Sequence, residues 1–326
     1  MKVLVTRRLL PGVLDALEGC IVGVWEGDGP MPRSELMTRV GEAEGLLSML
    51  TDRIDRELLD AAPRLRVVSQ MAVGVDNIDL QACTTRGIPV GHTPGVLTET
   101  TADTAWALLA AAVRRLPEGR DHVRAGRWGP WDPGLLLGGD LFDTTLGIVG
   151  LGRIGAAVAR RASGFGMRVL YAGPHRKPHL EAELRVAYRS LADLLAESDH
   201  VVLTAPLTSE TRHLIGLDEL RLMKSDATLV NVARGGLVDH EALYEALVEG
   251  WIGRAALDVT EPEPIPADHP LVGLPNCLII PHLGSASVRT RRAMAELAVE
   301  NLRRGLRGEP LVHCANPEVE SRRGVT

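Results

Sequence analysis

Three polar side chains stand just after apolar runs in the second half of the chain. They are Arg234 in Asn231-Val232-Ala233-Arg234-Gly235-Gly236, Glu263 in Asp258-Val259-Thr260-Glu261-Pro262-Glu263-Pro264, and His282 in Pro281-His282-Leu283-Gly284-Ser285. A guanidinium can hold a carboxylate through two parallel N–H bonds and polarise an adjoining carbonyl oxygen. An imidazole can donate a proton as an alkoxide forms, and a carboxylate beside it can orient the ring. Together these types suit hydride transfer to a small 2-keto acid. Each also has a plainer use: an arginine neutralising a neighbour, a glutamate in a proline-rich turn, one histidine among ten.

A carrier for the hydride is written in Gly150-Leu151-Gly152-Arg153-Ile154-Gly155, which matches G-x-G-x-x-G. With 34 glycines in the chain the pattern alone is weak. Its setting strengthens it, because the apolar run Leu146–Val149 precedes it and a helical pattern over Ile154–Ala162 follows. Gly150 permits the tight turn, Gly152 lets a pyrophosphate approach the backbone, and Gly155 lets helix and strand pack closely. Leu151, Arg153 and Ile154 would then line the pyrophosphate at the helix N-terminus. The next strand runs into Tyr171-Ala172-Gly173-Pro174-His175-Arg176-Lys177, with no carboxylate for a ribose 2′-hydroxyl. Gly173 with Arg176 and Lys177 therefore predicts NADP(H) over NAD(H), since cations attract a 2′-phosphate that an acid would repel.

These residues need strands to deliver them to one edge. Short apolar runs alternate with helical patterns, the mark of parallel sheets covered by helices. The first third predicts strands over Val3–Thr6, Gly45–Met49, Val67–Gln70 and Pro89–Gly91, and helices over Asp55–Ala62 and Leu80–Arg86. A helix over Thr98–Leu116 follows, interrupted by Pro117. Residues 126–140, with Trp128 and Trp131, read as an irregular arm. A second series predicts strands over Leu146–Gly150, Arg168–Ala172, His200–Leu203, Thr228–Val232, Arg254–Asp258 and Cys277–Ile280. A helix over Val288–Leu306 returns the chain to the first unit, and the stretch from Glu318 to Thr326 is expected to fray. The fold class is α/β with two doubly wound parallel-sheet domains. A dinucleotide-binding domain of residues 100–284 is inserted in a discontinuous substrate domain of residues 1–99 plus 285–326.

Composition narrows the partners. The 326 residues are 45% hydrophobic but only 3% aromatic, so Ala, Val, Leu and Ile must fill the interior. A formal net charge of −6 gives no reason to expect nucleic acid or an anionic membrane surface. Cys20, Cys83, Cys277 and Cys314 are scattered, with no zinc or redox spacing, and suit a reducing compartment. The first residues already read as a strand, and no long apolar run is present, so a cytoplasmic protein is expected.

The three strand-end motifs, the glycine fingerprint and Ala72-Val73-Gly74-Val75-Asp76-Asn77-Ile78-Asp79 together resemble the D-isomer-specific 2-hydroxyacid dehydrogenases, from about Lys2 to Leu311. Within them the chain is most similar to the glyoxylate/hydroxypyruvate reductases, through Thr93-Pro94-Gly95-Val96-Leu97-Thr98, the 258–264 motif followed by His269-Pro270-Leu271, and 305–310. The resemblance implies a Rossmann-type cofactor domain within a flavodoxin-like substrate domain. It implies Arg234, Glu263 and His282 as the catalytic trio. Val73 and Gly74 would offer backbone N–H groups to the substrate carboxylate, with Ser285 also on the substrate. Thr101, Pro206, Val232, Ala233, Asp258, His282 and Gly284 would face the cofactor. It further implies a homodimer formed through long arms, with Trp131 reaching the neighbouring subunit's site. Asp103 and Pro174 depart from the family's pattern, which has Glu and a basic residue there. Two other readings stand beside a reductase: another enzyme of the family, such as a phosphoglycerate dehydrogenase, and a non-enzymatic NAD(H)-sensing corepressor.

Overall fold

The structure, a computed structural model, describes residues 1–319 and divides into two compact units. One comprises Met1–Leu97 and the chain from Ser287 onward, and the other is Thr98–Ala286.

The first unit is built on β1 (Lys2–Val5), β2 (Ile21–Val24), β3 (Gly45–Ser48), β4 (Val67–Gln70) and β5 (Val90–Gly91). All are parallel, in the order β2-β1-β3-β4-β5. The order reverses beside β1, which makes the sheet doubly wound and flavodoxin-like. Leu46 and Val68 enter one apolar cluster while Leu47 and Val67 enter another on the opposite face. Burial on both faces is why these strands read as unbroken apolar runs. β2 has no counterpart among the strands expected from sequence. It is a sheet edge with Ile21 69% exposed and a glycine within, so pairing with β1 rather than composition makes it a strand. The helix Val288–Arg307 packs on β3 and β4. The chain after it docks beside β5, where Ala315 N–H donates to Val90 O at 2.7 Å and Asn316 Oδ1 accepts Val90 N–H at 2.8 Å. Val319 is buried, which corrects the expectation of fraying at Glu318 and Val319. The remainder of that stretch, 320–326, lies outside the described residues.

The second unit carries β6 (Thr145–Val149), β7 (Arg168–Ala172), β8 (Ala187–Tyr188), β9 (His200–Leu203), β10 (Thr228–Asn231), β11 (Arg254–Leu257) and β12 (Cys277–Ile279). Their order is β12-β11-β10-β9-β6-β7-β8, again all parallel. β8, a two-residue edge strand, is the other strand with no counterpart among those expected from sequence. Leu170 and Leu229 face one apolar cluster, and Tyr171 and Val230 face the other. The strand order reverses between β6 and β9, and the crevice beyond their C-terminal ends is where such sheets bind ligands.

The helix Thr98–Val113 buries Thr101, Ala105, Leu108, Leu109 and Ala112 against this sheet. Pro117 does not interrupt it. The break is at Arg115, in the left-handed region at φ 54°, and Pro117 lies in the first turn of a new helix, Leu116–Arg124, where a missing N–H costs nothing. Residues 126–144 form turns and irregular chain, with Trp128 and Trp131 74% and 86% exposed. Among the described residues no helix is long and apolar enough to cross a membrane.

Candidate active site

Arg234 is set by the end of β10. The buried Asn231 donates from Nδ2 to Arg234 O at 2.8 Å, and its Oδ1 accepts Ala233 N–H at 3.0 Å, folding the chain into a tight turn. Gly235 then lies against the loop that leaves β11: a Cβ there would stand 2.1 Å from Thr260 C. That loop, 260–264, is held by Thr260 Oγ1 donating to Pro262 O at 2.9 Å and carries Glu263. Its Glu261–Pro262 and Glu263–Pro264 bonds are cis.

His282 arrives after β12 with φ 52°. Its N–H donates to Asp258 O at 2.9 Å, and the Leu283 and Gly284 N–H groups donate to the Asp258 carboxylate at 2.5 and 2.9 Å. Asp258 is thus a buried staple between the ends of β11 and β12. Burial pushes its carboxyl above the usual range, more than those N–H bonds and a charge on His282 pull it down. The His282 Nδ1 meets Glu263 Oε1 at 2.6 Å. Burial works against an ionised Glu263, but the His282 bond and charge, a backbone N–H bond and the Arg234 charge outweigh it and hold the carboxyl below the usual glutamate range. Arg234, Glu263 and His282, separated in sequence, are gathered at one sheet edge.

The glycine motif shows three different environments. Gly150 has φ 96°, and a Cβ on it would stand 2.7 Å from Ala205 N, so the chain leaving β9 crowds this turn. On Gly155 a Cβ would stand 2.4 Å from Gly150 O, so glycine lets the helix Arg153–Ala162 close on β6. Gly152, at that helix's N-cap, has nothing within 4 Å of where a Cβ would be. A crowded first and third glycine around an open second one fits a pyrophosphate held at Leu151, Gly152, Arg153 and Ile154. Thr204, not singled out from the sequence, closes the turn by donating to Gly150 O at 2.6 Å. A threonine directly after an apolar strand was the available signal.

Gly173 follows β7 and also opens on empty space. Arg176 is gripped by Glu181, Nε to Oε1 at 2.8 Å and Nη2 to Oε2 at 2.7 Å, a partner that sequence reading missed. Lys177 Nζ donates to Leu151 O at 2.7 Å, which ties it to the glycine turn. Thr101 and Gly284 are neighbours, with Thr101 Cγ2 3.5 Å from a Cβ built on Gly284 and Asp258 Oδ2 closer still at 2.8 Å. Val232 is buried and Ala233 partly so at the end of β10, and Pro206 is exposed after β9. Ser285 is buried, and Val73 and Gly74 lie in the first unit on the loop after β4.

Known proteins bear on this arrangement. Residues 106–284 match the family model described as the NAD binding domain of D-isomer specific 2-hydroxyacid dehydrogenases. A glyoxylate reductase of Korarchaeum cryptofilum is 52% identical over 98% of this chain and 96% of its own length. The human glyoxylate reductase/hydroxypyruvate reductase is 46% identical over 95% of this chain and 96% of its own. A crystal structure of an NADPH-dependent glyoxylate/hydroxypyruvate reductase from Sinorhizobium meliloti, in complex with NADP and malonate, superposes with a TM-score of 0.84 at 33% identity, covering 98% of this chain and 97% of that one. The chain belongs to the D-isomer-specific 2-hydroxyacid dehydrogenase family, with its NAD-binding domain in the second unit.

Proposed function

We propose that the protein reduces glyoxylate and hydroxypyruvate to the corresponding 2-hydroxy acids, preferring NADPH to NADH, and works as a cytoplasmic homodimer. The observation that carries the reading is the His282–Glu263 pair at 2.6 Å with the Arg234 charge close enough to act on Glu263. The names of the similar proteins support the substrate class.

A nicotinamide cofactor, when bound at the glycine turn, supplies the hydride. The remaining work falls to this chain. Arg234 holds the substrate carboxylate and polarises the keto oxygen. As the keto carbon accepts the hydride, the C=O π pair moves onto oxygen, and oxygen takes the proton from His282 Nε2. The imidazole left behind is neutral and keeps its Nδ1–H on Glu263. Glu263 is thus the acceptor that leaves Nε2 as the donating nitrogen.

Gly173, Arg176 and Lys177 favour a 2′-phosphate, and the exposed Trp128 and Trp131 suit an arm covered by a second subunit. The deciding measurement is steady-state kinetics with glyoxylate, hydroxypyruvate and pyruvate, each with NADPH and NADH. The highest kcat/KM is expected for glyoxylate or hydroxypyruvate with NADPH. Absence of turnover with all three acids would overturn the assignment.

A further inference from the structure

The loop after β4 has three successive carbonyls held by donors of its own unit. Thr93 N–H donates to Ala72 O at 2.8 Å, His92 Nδ1 bonds Val73 O at 2.9 Å, and Gln70 Nε2 donates to Gly74 O at 2.7 Å. A trans peptide carries its C=O and the following N–H on opposite edges of one plane. The cis bonds among the described residues lie elsewhere, at Glu261–Pro262 and Glu263–Pro264. Pinning these carbonyls therefore turns the N–H groups of Val73, Gly74 and Val75 away from the pinning groups. The first two turn together from the His92–Thr93 segment. Among the described residues none of the three N–H groups has a hydrogen-bond acceptor. Backbone N–H groups left without an acceptor are donors that an anion can satisfy.

The donors are themselves locked. Gln70 is fully buried, and its amide pairs reciprocally with that of Asn77, Nε2 to Oδ1 at 2.6 Å and Nδ2 to Oε1 at 3.0 Å. Asn77 Nδ2 also donates to Asp52 O at 2.6 Å, and Ser48 Oγ donates to Gln70 Oε1 at 3.2 Å. A buried amide with every atom engaged has one orientation available. We propose that Gln70 and His92 are positioning residues that set the Val73–Val75 N–H groups to receive the carboxylate of a 2-keto acid. The proposal rests on the reading that the protein reduces such acids, and it adds Val75 N–H and the two residues behind the loop.

The test uses the full-length protein and two pairs of measurements. KM and kcat are measured for glyoxylate, and Ki for oxalate, an unreactive dicarboxylate, with the Kd for NADPH followed by fluorescence. His92→Leu and Gln70→Met are expected to raise KM and Ki in parallel by about tenfold, the worth of one hydrogen bond. They should leave kcat within about threefold and the cofactor Kd unchanged. His92→Asn, which keeps an N–H donor at the δ position, should restore both constants. His92 is only partly buried, so its variants test the proposal even where Gln70→Met does not fold. Unchanged KM and Ki in His92→Leu would overturn it, as would a loss in which kcat and cofactor affinity fall together. A wild-type protein that turns over no 2-keto acid defeats the functional reading. An active wild type with silent variants defeats only the positioning role.

Discussion

The His282 imidazole and the Glu263 carboxylate meet at 2.6 Å although they arrive from the ends of different strands. The contact exists because Asp258 staples the chain after β12 to the end of β11 while Thr260 shapes the loop that brings Glu263 back. A proton donor and its orienting acceptor are thus placed by two side chains that bond backbone groups, Asp258 at the Leu283 and Gly284 N–H groups and Thr260 at the Pro262 carbonyl.

Replacing His282 with alanine should lower kcat for glyoxylate by about 10² to 10⁴, the usual range for a lost general acid, with a much smaller change in KM. Stopped-flow or steady-state reduction assays measure this directly. Near-normal kcat in a folded His282→Ala protein would remove the residue from the mechanism.

Glu263 determines the acid side of the pH profile. Its carboxyl is held below the usual range, so it stays ionised until pH falls beneath the ordinary glutamate value of about 4.3. Lowering the pH further protonates it and removes the acceptor from Nδ1–H. The acid limb of kcat/KM should therefore lie below about 4.3, checked against circular dichroism for intact fold. In Glu263→Gln that limb should vanish and kcat should be lower across the range. A limb identical to the wild type would break the pairing.

Arg234→Lys should raise KM strongly and also lower kcat. An ammonium cannot supply the two parallel bonds of a guanidinium, and the turn fixed by Asn231 and Gly235 leaves little freedom to compensate. Unaltered kinetics would place the carboxylate elsewhere.

The glycines separate stability from cofactor binding. Gly155→Ala forces its methyl against Gly150 O, so it should cost about 1–3 kcal/mol in thermal or denaturant unfolding and weaken cofactor binding as well. Gly152→Ala meets open space, so the melting temperature should hold while NADPH affinity falls. Equal affinity in Gly152→Ala and the wild type would mean the pyrophosphate does not lie over that turn.

Cofactor preference depends on Gly173 and on competition for Arg176. Glu181 grips that guanidinium and is itself held down to about 2 by the bonds from Arg176 and Tyr171. Glu181→Gln should free Arg176 and lower KM for NADPH, Arg176→Ala should raise it, and Gly173→Asp should shift preference toward NADH. The ratio of kcat/KM for NADPH and NADH at fixed ionic strength reads all three. A wild-type preference for NADH would refute the assignment of these residues and leave the reductase intact.

By itself the sequence determined the α/β class, most strands, the glycine turn and the three strand-end side chains. Strands buried on both faces must be continuous apolar runs, and a glycine that another backbone crowds has no substitute. The edge strands β2 and β8 escaped because half-exposed chain needs no such pattern, and only pairing with β1 or β7 defines them. Pro117 could be read as a breaker or a starter, and the backbone at Arg115 decided for the start of a helix. Tertiary structure alone decided which distant polar groups meet: Glu263 with His282, Asp258 with Leu283 and Gly284, and Lys177 with the Leu151 carbonyl. Local periodicity records which residues are buried, because burial repeats with the helix or strand. Hydrogen-bond partners brought from distant segments have no such period, so their identity emerges only when the chain has folded.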